Sequence, residues 1–264
     1  MKFELFAFDL DGTLLRPDGT ISSETKDFLR LLKKSSRITL ATGRSLSSSW
    51  PYIEELAIKD PVVLYHGAAI FHPQGKSVLR EARLPPGLAR FALKVAAAFP
   101  VEVQLYRAVD DPHIYVERIS PAILVFSQKE NLPVKIVPEL EKMAAEWPLK
   151  LLFIGPEGVL KELRGALRGI EATVVRSERN YLEVLPPGVS KGAGLAWLCE
   201  WLGVPLAKVV AVGDQESDVS MFERVGLAVA MAHAPEPVRR KAKVVVQTIP
   251  ELQSLIDSFG FPPP

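Results

Sequence analysis

Short runs of consecutive apolar residues, each ending in Gly, Asp or Thr, alternate with amphipathic helical stretches through the first third of the chain and again through the last third. This alternation predicts a parallel α/β sheet, in which each strand is followed by a helix that carries the chain back across the sheet. The predicted strands are 3–8, 37–41, 61–65, 208–212, 227–230 and 243–246. Their apolar positions are continuous rather than alternating, so helices should cover both faces. The spacing predicts helices over 23–34, 191–202 and 217–225; in the first, Phe28, Leu29, Leu31 and Leu32 share one face.

The middle third has a different rhythm. A helix is expected over 85–99, followed by paired strands at 101–107 and 114–118 around the turn Asp110-Asp111-Pro112. A further unit at 138–146, 149–154 and 159–167 and strands at 172–176 and 181–185 follow. Mixed helices and hairpins between two α/β stretches predict a doubly wound, mainly parallel core interrupted by an α+β insert. The expected boundaries are 1–82 for the first part of the core, 83–185 for the insert and 186–264 for the second part. No repeat or low-complexity tract is found beyond a proline-rich tail at 261–264.

Composition narrows the class. The 264 residues are 48% hydrophobic and 24% charged, with a formal charge of +1. That balance is globular and argues against nucleic acid, which calls for a broad basic face. The single cysteine, Cys199, sits among Leu195, Trp197, Leu198, Trp201 and Leu202, so it reads as a buried thiol and no disulfide is possible. The first residues are too short an apolar run to span a membrane and lack a basic segment with a cleavage site, so a cytoplasmic setting is expected. Asn131 and Asn180 are the only asparagines, a weak sign of heat adaptation.

Four places carry candidate chemistry. In Phe8-Asp9-Leu10-Asp11-Gly12-Thr13, directly after the first strand, alternation puts Asp9 and Asp11 on one side and Leu10 on the other. Two carboxylates at a strand's carboxyl end repel unless a cation joins them, and Mg²⁺ suits oxygen ligands and phosphate; the loop could equally be a solvated turn. Thr42, Gly43 and Arg44 end the second strand: a hydroxyl donor, a place of close backbone approach, and a guanidinium for an anion. The alternative there is a Thr-Gly helix cap. Lys191 opens a helix after Gly188-Val189-Ser190, adding an ammonium to a terminus that already favours phosphate; it could also be an ordinary surface lysine. Asp214, after the strand that ends at Val212-Gly213, can complete an oxygen-rich metal site, and Asp218, four residues on, can bind Lys191, serve a metal-bound water or cap the helix.

Taken together, in this order and each placed at a strand end or helix start, the four stretches resemble the haloacid dehalogenase superfamily, in particular its Cof-type, sugar-phosphatase-like branch. The matching stretches are DLDGTLL at 9–15, ATGR at 41–44, YLEVLPPGVSKG at 181–192 and GDQESDVSMFERVGLAVAMAHA at 213–234. The insert falls where that branch carries its C2-type cap. Two positions depart from the branch: Ser217 stands where it usually has Asn, and His66-Gly67-Ala68 where it usually has Asn-Gly-Ala. Both bear on rate, metal affinity and substrate choice.

The resemblance implies a Mg²⁺-dependent phosphatase of small-molecule phosphate monoesters. Asp9 would be the nucleophile and Asp11 the general acid and base; Thr42 and Lys191 would hold phosphate oxygens. Asp9, the main-chain carbonyl of Asp11, and Asp214 would ligate the metal, backed by Ser217 and Asp218. Leu10, Gly43 and Arg44 would help to bind the phosphate, and Arg107, His113, Arg179 and Asn180 of the cap could meet a sugar hydroxyl or second anion. Alternatives are a sugar phosphomutase or phosphotransferase with the same phospho-aspartate, a receiver-like switch of about half this length, and a sugar-phosphate-binding homologue without turnover. The substrate's identity and the oligomeric state leave no mark in the sequence.

Overall fold

The computed structural model describes residues 3–254; the proline-rich tail lies outside them. The first elements are β1 (Leu5–Phe8), α1 (Ser23–Leu32), β2 (Arg37–Leu40), α2 (Leu46–Glu55), β3 (Val62–Leu64), β4 (Ala69–His72) and β5 (Ser77–Glu81). Then come α3 (Pro86–Ala96), β6 (Glu102–Tyr106), β7 (Ile114–Val116), α4 (Pro121–Glu130), β8 (Val134–Ile136), α5 (Leu140–Ala144), β9 (Lys150–Ile154), α6 (Glu157–Ala166), β10 (Thr173–Glu178) and β11 (Tyr181–Leu185). The chain continues through α7 (Lys191–Leu202), β12 (Val209–Gly213), α8 (Val219–Phe222), β13 (Leu227–Met231), α9 (Glu236–Arg239) and β14 (Val244–Val246). These form two compact units: Met1–Gly43, Pro51–Leu79 and Ser190–Pro264 make the first, Arg44–Trp50 and Arg80–Val189 the second.

The first unit is built on a five-stranded sheet in the order β14-β13-β12-β1-β2, parallel throughout. β1, β12 and β13 are buried at every position, which is why they read as unbroken apolar runs, while the edge strands β2 and β14 are partly exposed. β1 lies between β12 and β2, and Phe8 lies abreast of both Leu40 and Val212. That register brings Asp9, Ala41 and Gly213, each one residue further along its chain, to the same sheet edge.

Helix α7 shows why the local sequence folds as it does. Ser190 caps its start by accepting from the Ala193 N–H at 3.0 Å, and Gly203, at φ 68°, ends it in the left-handed region that favours glycine. Its apolar side chains reach right round the helix, so Leu195, Leu198 and Cys199 join Leu5, Ala7, Val209 and Ala211 in the core. Burial pushes the Cys199 thiol up to about 12.

Two expectations need correcting, and two helices were not foreseen. The strand expected at 61–65 touches the parallel sheet only through a bridge between Ala41 and Val63. It pairs instead with β4, antiparallel, in a separate sheet of order β3-β4-β5, because three successive residues at positive φ, Tyr65 to Gly67, reverse the chain immediately after it. The helix expected over 217–225 is a 3-10 turn at Glu216–Asp218 followed by the short α8. Helices α2 and α4 were hidden: α2 carries three serines and an internal Pro51, and α4 is apolar without a clear face, held by the Ser120 cap at one end and left-handed Asn131 at the other.

The second unit has a six-stranded sheet of order β10-β11-β9-β6-β7-β8, antiparallel except where β7 meets β8. Leu105, Leu151, Phe153, Leu182 and Val184 project from one face into a core with α3, α5 and α6. The expected pairing of the strands flanking Asp110-Asp111-Pro112 is present, with Leu105 opposite Tyr115. Asp111 closes that turn by accepting from the His113 N–H at 3.1 Å and the Tyr115 hydroxyl at 2.7 Å. Among the described residues no helix is long and apolar enough to cross a membrane.

The buried thiol gives a direct check. With its pKa pushed up to about 12, Cys199 stays protonated at pH 8.5. The folded protein should resist iodoacetamide for hours at that pH and be alkylated within minutes once denaturant is added, as mass spectrometry would record.

Candidate active site

Four charged side chains converge where the carboxyl ends of β1 and β12 meet the start of α7. The Lys191 Nζ lies 2.7 Å from Asp9 Oδ1 and 2.7 Å from Asp218 Oδ1. All are buried: Asp9 is 3% exposed, Lys191 2%, Asp214 1% and Asp218 0%. Asp9, Asp214 and Asp218 each offer a carboxylate oxygen, and these oxygens lie within 4.8 Å of one another.

Burial weakens the charge on Lys191, but Asp218 and Asp9 outweigh it and hold the ammonium above the ordinary lysine range. Burial, then repulsion from Asp218, pushes Asp9 well above the usual carboxylate range despite the pull of Lys191. Burial and Asp218 likewise raise Asp214, against hydrogen bonds from Thr13 and Gln215. One ammonium cannot neutralise three carboxylates, so the cluster retains an excess of negative charge that a hard divalent cation fits.

The three carboxylates are not equivalent. Asp218 Oδ2 accepts from the amides of Asp214 and Gln215, both at 2.9 Å, while Oδ1 accepts from Lys191. Its acceptor sites are therefore largely committed to shaping the turn. Asp214 takes one hydrogen bond on each oxygen, 2.8 Å from Thr13 Oγ1 and 2.7 Å from Gln215 Nε2. The residues best able to share a cation are Asp9 and Asp214.

The other sequence candidates fall in different places. Asp11 stays out of the carboxylate trio and is half-buried, yet its charge is near enough to raise Asp9. Leu10 is buried, and its carbonyl accepts from the amides of Thr13, Leu14 and Leu15, which closes the loop around Asp11. Thr42 is fully buried beyond β2, its N–H donating to the Val63 carbonyl. Ser217 contributes its carbonyl, which accepts from Ser220 Oγ at 2.8 Å.

In the second unit Arg44 pairs with Glu130 at 3.2 Å, both nearly buried. Arg179 is 81% exposed and bonds Glu157 at 2.7 Å, and Asn180 offers its carbonyl to the Gly155 N–H. His113 pairs with Asp111. Sequence reasoning passed over Thr13 and Gln215, although each lies inside a stretch it singled out. It also passed over His233, which lies inside the stretch 213–234 and whose Nε2 is 3.6 Å from Asp214 Oδ2, and it missed the buried pair Lys150–Glu183, with the Lys150 Nζ 4.6 Å from the Tyr106 ring centre. That pair comes from two strands 33 residues apart and leaves no local signal.

A sequence model of haloacid dehalogenase-like hydrolases matches residues 6–256. The chain belongs to that family. It is 28% identical over 251 residues to the 5-amino-6-(5-phospho-D-ribitylamino)uracil phosphatase of Bacillus subtilis, covering 92% of each chain. It is 30% identical over 234 residues to an HMP-PP phosphatase of Cronobacter sakazakii, covering 87% of this chain and 84% of that one. A Thermotoga maritima protein of known structure matches with a TM-score of 0.82 at 27% identity, over 98% of both chains. A haloacid dehalogenase-like hydrolase from Bacteroides thetaiotaomicron also matches at 0.82, with 26% identity over 97% of this chain and 98% of that one.

The contact between α7 and α8 has no slack. A Cβ on Gly192 would sit 1.8 Å from the Ser220 carbonyl oxygen, a backbone atom that cannot rotate away. Gly192→Ala should destabilise the protein by about 2–3 kcal/mol, read as a shifted midpoint in urea.

Proposed function

We propose that this phosphatase of small phosphorylated metabolites works through a phosphorylated Asp9, with Mg²⁺ held by Asp9 and Asp214. The observation that carries the reading is the buried Lys191 ammonium between Asp9 and Asp218, with Asp214 in the same cluster. It joins a nucleophile, a cation for phosphate oxygens and a pair of cation ligands.

An Asp9 carboxylate oxygen attacks phosphorus in line and forms an aspartyl phosphate while the bond to the leaving oxygen breaks. Asp11 gives its proton to the departing alkoxide, then takes one from the water that attacks the phosphoenzyme and frees inorganic phosphate. Its place outside the carboxylate trio suits this work, because a proton carrier is useless while bound to metal. Lys191 and the Thr42 hydroxyl hold the other phosphate oxygens, whose charge is spread in the transition state. The Leu10 carbonyl, by tying down Thr13 to Leu15, keeps the Asp11 loop in shape. Bound Mg²⁺ supplies shielding between the carboxylate nucleophile and the phosphate dianion, and the Asp11 carbonyl is the expected third ligand.

The second unit is read as the cap that selects the substrate. Transfer of the phosphoryl group to a sugar acceptor in place of water uses the same Asp9 chemistry, and release of free phosphate separates the two outcomes.

Wild-type protein with Mg²⁺ should hydrolyse p-nitrophenyl phosphate, and EDTA should stop it. Asp9→Asn should lower kcat by at least about 10³-fold, since it removes the bond-forming oxygen, whereas Thr42→Ala should lower it by roughly 10–100-fold, the loss of one donor. A variant Asp9→Asn with undiminished turnover would overturn the reading.

The raised carboxylates add a pH signature. Well below the ordinary aspartate pKa of about 3.9, Asp9 and Asp214 are protonated in both folded and unfolded chains. As pH rises, the unfolded chain ionises first, and the metal-free fold loses stability until its own groups ionise, because their folded pKa values lie higher. Mg²⁺ relieves that repulsion and binds only the ionised folded cluster. The Mg²⁺-induced rise in Tm should therefore grow steadily from pH 5 to pH 8 in scanning fluorimetry, and a rise independent of pH would count against the site.

A further inference from the structure

Between β3 and β4, Tyr65, His66 and Gly67 have φ of 49°, 55° and 96° in succession. Glycine enters that region freely; tyrosine and histidine do so only when their surroundings hold them there. Both are buried, at 1% and 3% exposure. The turn is tied to the segment after β2: the His66 N–H donates to the Thr42 carbonyl at 3.0 Å, and the Thr42 N–H donates to the Val63 carbonyl at 2.9 Å.

The side chain continues that link. The imidazole packs against Gly43 through its Nε2–Cε1 edge, so that a Cβ there would meet His66 Nε2 at 2.2 Å and Cε1 at 2.4 Å. On the other side, a Cβ on Gly67 would meet the Ser190 carbonyl oxygen at 2.1 Å, and one on Gly194 would meet the Gly67 Cα at 2.9 Å. The strained turn is thus wedged between the Thr42–Gly43 segment and the first turn of α7, which carries Lys191. Two of the proposed phosphate-holding groups reach each other through it.

We infer that His66 is a positioning residue: its ring and its left-handed backbone set the Thr42–Gly43 segment at a fixed distance from the Lys191 end of α7. A residue that merely filled space would not need a conformation so unfavourable for histidine, since an ordinary turn could present an apolar side chain to the same gap. A ring that aligns the phosphate-holding groups acts on the transferring phosphoryl group and is indifferent to the alcohol that leaves.

The inference rests on the phosphatase reading, and turnover of p-nitrophenyl phosphate by the wild-type protein tests that reading first. No wild-type turnover would sink the reading itself; normal wild-type turnover leaves the variants to judge His66. His66→Ala should lower kcat by about 30-fold or more with KM changed less than about 3-fold, because misplacement by a fraction of an ångström weakens the transition state more than the ground state. The same factor should appear with a hexose phosphate substrate. His66→Asn should restore kcat to within about 3-fold of wild type, since asparagine tolerates positive φ and presents a flat polar group.

A His66→Ala protein with kcat within 3-fold of wild type, or losses that differ tenfold between the two substrates, would overturn the assignment. So would His66→Asn being no better than His66→Ala. Should His66→Ala fail to fold, Gly43→Ala approaches the contact from the other side. Its methyl displaces the ring and should lower kcat in the protein that remains folded, with a fall in Tm of several degrees from the overpacked contact. Unchanged kcat in that variant would equally refute the role.

Discussion

A single ammonium buried among three carboxylates is the constraint on which the rest of this molecule turns. Lys191 is out of water, and its charge survives there only because Asp9 and Asp218 stand at hydrogen-bond distance on two sides. Asp214 adds a further negative charge, and Asp9 and Asp214 resist ionisation because they are buried and because Asp218 stands beside them. In a low-dielectric site these interactions are strong, and small displacements change them greatly. On the proposed reading, a divalent cation together with a phosphate would relieve this imbalance.

The sheet exists, from this point of view, to hold the cluster still. β1 and its two neighbours are in register, so Asp9 and the residues just after β2 and β12 leave the sheet at one edge. Asp218 then folds its own turn back by accepting from two amides, which keeps Asp214 where β12 delivers it. Helix α7 closes in from the far side through contacts that only glycine permits at 192 and 194. The strained turn at Tyr65–Gly67 belongs to the same packing, and the cost of two non-glycine residues at positive φ, of order 1–2 kcal/mol each, is met by the core around it.

The second unit carries its own buried polar group. Its sheet puts apolar side chains on the helix-covered face, while Lys150, Glu183 and Tyr106 meet as a charged pair beneath an aromatic ring. A buried pair of this kind adds little to stability compared with apolar residues of the same size.

The amino-acid order alone determined the parallel core, because strands buried on both faces must be continuous apolar runs, and it determined the loops that bear Asp9, Thr42, Lys191 and Asp214, because each follows a strand or opens a helix. Helix α2 stayed hidden among serines, and the residue spacing of 61–65 could not tell a parallel strand from the first arm of a hairpin. Only the tertiary structure decided that Asp218, and not Asp11, completes the carboxylate trio, and that Thr13, Gln215 and His233 gather around Asp214. The reason is physical: local pattern reports which face of an element is apolar, whereas contacts across some two hundred residues depend on register and on how closely two backbones approach. Those distances are set by packing, and at Gly192 and Gly43 the decisive feature is the side chain that is missing.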